Sequence, residues 1–101
     1  MKKYIHNLTN RVFKLLTIRE KELCGVNAYF AEYADSLLIE VSGAMHTFPE
    51  LQENDAFIVV HNIIGYLCKD DVSYPVLRRE VFKALHLLNK IEASCEVEHD
   101  G

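Results

Sequence analysis

From Glu22 to Cys68 this chain contains no lysine or arginine, while seven acids fall in the same stretch: Glu22, Glu32, Asp35, Glu40, Glu50, Glu53 and Asp55. Those residues cannot build the continuous basic surface that phosphate neutralisation needs. Tryptophan is absent, and the chain has only four glycines and two prolines. The glycines (Gly25, Gly43, Gly65 and Gly101) are isolated, which excludes a glycine-rich phosphate loop. No apolar run approaches the ~20 residues of a membrane helix. The residues after the basic start, Ile5 to Asn10, are too polar for the core of a signal peptide. Three widely spaced cysteines, an odd count, point to reduced thiols and a cytoplasmic location.

Constellations that carry chemistry are missing too. There is no Cys-x-x-Cys and no His-x-x-x-His, and Cys95 with His99 makes a lone half-site. Zinc sites need about four converging ligands, usually in paired short spacings. Glu50 and Glu53 stand at the spacing of a solvated helix face, and no nucleophile is placed beside a base. The expectation is a protein that is not an enzyme and holds no metal or cofactor.

What is present suits one small globular domain spanning residues 1–101. Half the residues are hydrophobic and a quarter charged, enough to bury about 65% of the unfolded surface. Apolar residues recur at helical spacing in three segments: Phe30, Ala34, Leu37, Val41, Ala44, Phe48; then Ala56, Val60, Ile63, Leu67; then Leu77, Val81, Ala84, Leu88, Ile91, Cys95. A weaker seam runs Ile5, Leu8, Val12, Leu15 and then Arg19.

Boundary residues agree with this division. Gly25 suits a left-handed turn after a first helix ending near Leu23. Thr47-Phe48-Pro49-Glu50 has capping-box spacing, Asn54 can cap a third helix, and Ser73-Tyr74-Pro75 can open the last. The fold class read from this is an all-α antiparallel bundle of about four helices. The competing reading is α+β, with short strands near 37–41 and 57–60, where β-branched residues concentrate. The third segment is apolar around much of its circumference, which predicts a central helix, the alternative being that one side forms an oligomer contact. Residues 93–101 read as a frayed acidic tail.

Leu16-Thr17-Ile18-Arg19-Glu20-Lys21-Glu22-Leu23 resembles the opening of the LuxR-type helix-turn-helix, whose first helix often begins Leu-Thr-x-Arg-Glu. The resemblance covers eight residues and implies a basic recognition helix downstream. The following helix instead carries Tyr29, Phe30, Glu32, Tyr33 and Asp35, with no base until Lys69. Phosphates would repel it, so the DNA binding implied by those eight residues is not expected.

With a net charge of −4 and no catalytic set, binding to another macromolecule is the expected activity. The candidate contact residues are the acids Glu32, Asp35, Glu40, Glu50, Glu53 and Asp55, with Tyr29 and Tyr33 as aromatic anchors. A helical wheel places Tyr29, Tyr33 and Glu40 on one edge of the second helix, with Glu32, Asp35 and Ile39 behind. Such a chain suits a small inhibitor, of the immunity-protein or antitoxin kind, that masks the basic surface of a toxin such as a nuclease. The alternative is a self-associating adaptor or structural subunit, the basic N-terminal segment of one copy meeting the acidic middle of another. A small regulator or anti-defence protein mimicking nucleic-acid charge is a further option. Neither nucleic acid nor membrane is expected as a partner.

Overall fold

In a computed structural model, described for residues 1–69 and 71–100 with side chains given as far as Cys95, the chain is helical almost throughout. The elements are α1 (Lys2–Leu23), α2 (Phe30–Thr47), the single turn α3 (Pro49–Gln52), α4 (Asp55–Leu67) and α5 (Tyr74–Asp100). No strand occurs among the described residues, so 37–41 and 57–60 are helical and the α+β alternative falls away. Burial explains the outcome. Leu37 and Val41 share one buried face while Ile39 between them points out, the 3.6-residue pattern rather than the alternation of a strand.

The local stop and start signals act largely as their chemistry predicts. Gly25 takes φ 92°, and the amides of Gly25 and Val26 donate to the carbonyls of Glu22 and Lys21, a Schellman closure of α1. The side chain of Asn54 accepts the Phe57 amide at 3.0 Å and caps α4. The carbonyl of Ser73 accepts from Leu77 at the opening of α5. The expected capping box at Thr47–Glu50 does not form. α2 continues through Thr47, whose hydroxyl donates back to the Gly43 carbonyl at 3.1 Å, and Phe48 stands before α3.

The four long helices form a ring in the order α1, α2, α4, α5, each packed on its two neighbours. Every neighbouring pair is antiparallel. Tyr4 near the start of α1 meets Phe48 at the end of α2, while Arg19 covers Phe30 at the opposite end. His61 meets Ser42 between α4 and α2, and Glu20 meets Tyr74 between α1 and α5. One hydrophobic cluster fills the centre, drawing Ile5, Leu8, Val12 and Leu15 from α1 and the whole α5 seam from Leu77 to Cys95.

One expectation needs correction. α4 is not a central helix: it occupies one corner of the ring, with Val59 and Tyr66 exposed on its outer side. The eight residues resembling a helix-turn-helix opening form the last turns of the long helix α1, which ends at Leu23 as its boundary residues predict. The tail assigned to 93–101 is helical through Asp100, and Cys95 is buried; the side chains of 96–100, and all of Gly101, lie outside the described residues. No described helix is long and apolar enough to cross a membrane.

The ring order has an electrostatic consequence. Ten of the eleven lysines and arginines lie on α1 or α5, which are neighbours, and none lies on α2, α3 or α4. The segregation along the chain thereby becomes a segregation between two sides of the bundle.

Candidate functional site

α2 carries most of the candidate residues, and its N-terminus is fixed from outside. Glu22, on the last turn of α1, accepts the Phe30 amide at 3.0 Å through one carboxylate oxygen and Arg19 at 3.2 Å through the other. A carboxylate there satisfies an amide without an intrahelical partner and meets the positive end of the helix dipole. Arg19 in turn lies 4.5 Å over the Phe30 ring, which explains why the α1 seam ends in a cation.

Tyr29 precedes this capped turn in a left-handed conformation, φ 55° and ψ 50°, and is 60% exposed. That region costs an L-residue roughly 1–2 kcal/mol, and Tyr29 supplies no side-chain cap in return. With Arg19, Glu22, Glu32, Cys68 and Lys69 it lines an open cleft of about 330 Å³. One turn further on, Asp35 hydrogen-bonds the Cys68 thiol across the α2–α4 contact. Burial, that hydrogen bond and the Asp35 charge together push the Cys68 thiol up to about 11.

The middle of α2 turns elsewhere. The Tyr33 hydroxyl donates to the Arg11 carbonyl at 2.8 Å, and Glu40 pairs with the Arg11 side chain. Both groups are therefore engaged with α1. Glu50 on α3, Glu53 at its end and Asp55 at the start of α4 are exposed, but they sit at the opposite end of α2. Eighteen residues at about 1.5 Å each separate the two ends of that helix. The structure thus brings together Tyr29, Glu32 and Asp35, keeps Glu50, Glu53 and Asp55 as a second group, and commits Tyr33 and Glu40 to packing.

The outward face of α2 contains two residues that charge counting passes over. Ile39 is 72% exposed, the most exposed large hydrophobic side chain of the chain's described residues. Gly43, one turn later on the same face, has open space where a Cβ would stand. A glycine inside a helix costs roughly 0.5–1 kcal/mol relative to alanine, and no contact within the chain requires it here. Glu32 and Asp35 lie one to two turns before Ile39 on this face. The sequence signal was available in Ile39, a β-branched apolar residue placed behind the buried stripe.

Ser42 and His61 approach to 3.0 Å between α2 and α4, but no carboxylate orients the imidazole among the described residues. Both side chains project from the middle of helices, where the backbone amides that would form an oxyanion hole are already bonded. No group of three metal-ligating side chains converges among the described residues.

Fold and surface together define an up-down-up-down four-helix bundle with its candidate contacts on α2 and the α3–α4 corner. The chain matches no protein-family model, no curated protein and no solved structure.

Proposed function

We propose that this protein acts by binding, as a small inhibitor of the immunity-protein or antitoxin kind that covers the basic surface of a toxin such as a nuclease. The observation that carries the reading is the α2 face. Exposed Glu32 and Asp35 border an exposed Ile39 in a half of the bundle that contains no lysine or arginine. Apolar area supplies affinity at such a surface, while the acids steer a cationic partner and fix its register. Tyr29, exposed beside the capped start of α2, supplies an aromatic anchor at the rim. Glu50, Glu53 and Asp55 extend the charge toward the other end of the bundle, and Tyr33 and Glu40 support the face through α1.

Titration calorimetry against a panel of cationic nuclease domains tests this. The expected result is saturable binding to a member of the panel, weakened at least tenfold by Glu32→Lys with Asp35→Lys, and weakened again by raising salt from about 50 to about 500 mM. Binding indifferent to salt and to both substitutions, or no binding across the panel, overturns the reading.

A further inference from the structure

The α1–α5 side of the bundle carries an aromatic pair among cations. Its register is pinned at both ends, with His6 3.4 Å from Glu92 at one and the Tyr74 hydroxyl donating to Glu20 at the other. Phe13 stands two turns after His6 and two before Glu20, on the same stripe of α1. Phe82 stands near the midpoint of the α5 stretch from Tyr74 to Glu92. The two rings therefore occupy one level on the outer side of the seam, 49% and 45% exposed. The Arg78 guanidinium lies 5.2 Å over Phe82 and brings a cation onto this face. The described carboxylates of these helices are engaged: Glu20 with Tyr74, Glu22 with Arg19, Glu80 with Arg79 and Glu92 with His6.

The α2 face carries the complementary set: Ile39, the bare backbone at Gly43, and the acids Glu32 and Asp35. α2 and α5 stand at opposite corners of the ring, so their outward sides point in opposite directions. We infer that copies of this chain associate side by side, the Phe13–Phe82 face of one seating on the Ile39–Gly43 face of the next. Charge selects this pairing over the symmetric ones. Two α1–α5 faces would set Arg78 against itself, and two α2 faces would oppose carboxylates. Gly43 allows an aromatic ring to approach the helix backbone, which accounts for a glycine that nothing inside the chain requires. Each copy in such a contact keeps one face of each kind open, so the assembly is head-to-tail and can grow beyond a dimer. This inference uses the α2 face but stands independently of the inhibitor reading, since it needs no foreign partner.

The test is sedimentation velocity of the full chain from low to high micromolar concentration. At about 50 mM salt the mean mass should rise with concentration above 11.6 kDa, and at about 500 mM it should return there. Gly43→Ala should raise the unfolding midpoint by a few degrees yet weaken association at least tenfold, which separates assembly from folding. Arg78→Glu with Phe82→Glu should be monomeric alone, as should Glu32→Lys with Asp35→Lys. Mixed, these two double variants retain one intact face each and should form a capped one-to-one dimer. A chain that stays monomeric at every concentration overturns the inference. So does association that both double variants retain, or that salt leaves unchanged. A monomeric chain whose Phe13–Phe82 face instead captures a DNA duplex likewise overturns it.

Discussion

The Glu22 carboxylate accepts the Phe30 amide at 3.0 Å, so the last turn of α1 caps the first turn of α2 across a loop. The same carboxylate holds Arg19, which covers the Phe30 ring. Three residues thereby fix the angle at which α2 leaves α1 and the position of Tyr29 between them. Glu22→Ala is expected to lower stability by about 1–2 kcal/mol, since it removes both a cap and an arginine partner. Glu22→Gln keeps an acceptor but loses the charge, and should fall between. Urea midpoints measure both; an unchanged midpoint for Glu22→Ala would mean that water serves the Phe30 amide equally well.

Tyr29 separates stability from binding. Asparagine tolerates the left-handed region better than tyrosine, so Tyr29→Asn should raise stability by about 0.5–1 kcal/mol in thermal unfolding. If Tyr29 anchors a partner, the same variant binds more weakly while folding better. Loss of stability instead would show that the ring contributes packing despite its exposure.

Cysteine reactivity should follow position. Cys24 is exposed, Cys68 is half-buried with its thiol pushed up to about 11, and Cys95 is buried. Alkylation at pH 8, read by mass spectrometry, is expected at Cys24 first and Cys68 much later. Asp35→Asn removes the charge that opposes the thiolate and should speed the reaction at Cys68. The raised value also has a stability consequence. Between about pH 9 and pH 11 the unfolded thiol loses its proton and the folded one keeps it, so this group's contribution falls as pH rises through that window.

Leu37 and Ile39 offer a direct test of the helical reading of 37–41. Leu37 is fully buried and Ile39 faces out, although two residues apart. Leu37→Ala should cost about 2–5 kcal/mol, and Ile39→Ala should stay within about 0.5 kcal/mol. Comparable losses at both positions would indicate a shared face, the pattern of a strand.

How much of this was legible in the chain differs by element. The α5 seam, Leu77 to Cys95, is buried at every position that spacing named, and so are Ile5, Leu8, Val12 and Leu15 on α1. In α4 the uninterrupted run 56–60 blurs the period. Spacing named Val60, Ile63 and Leu67, which are buried, but its first position, Ala56, is only half-buried, while Phe57 and Ile64 outside the seam are fully enclosed. A run that is apolar on several sides offers no phase, and only its neighbours set the rotation. The capping box at Thr47 failed for a related reason: the motif is local, and α2 had not ended where the motif needed it to.

The candidate surface was less legible still. Tyr33 and Glu40 share an edge of α2 with Tyr29, as the wheel requires, but that edge borders α1, and Arg11 engages both. Which edge of a helix meets a neighbour depends on the order of helices around the ring, and no local pattern encodes it. Phe13 and Phe82 are further examples, exposed rings whose shared level appears only once α1 and α5 lie antiparallel.

The sequence by itself determined the helices, most of the buried stripe and the separation of charge along the chain, because each depends on neighbours within a few turns. Only the tertiary structure decided that α1 and α5 stand together, gathering the bases on one side and leaving α2 to present Ile39, Gly43 and their acids on the other. That choice rests on long-range packing of four similar stripes, in which many pairings bury comparable area and the joint arrangement selects one.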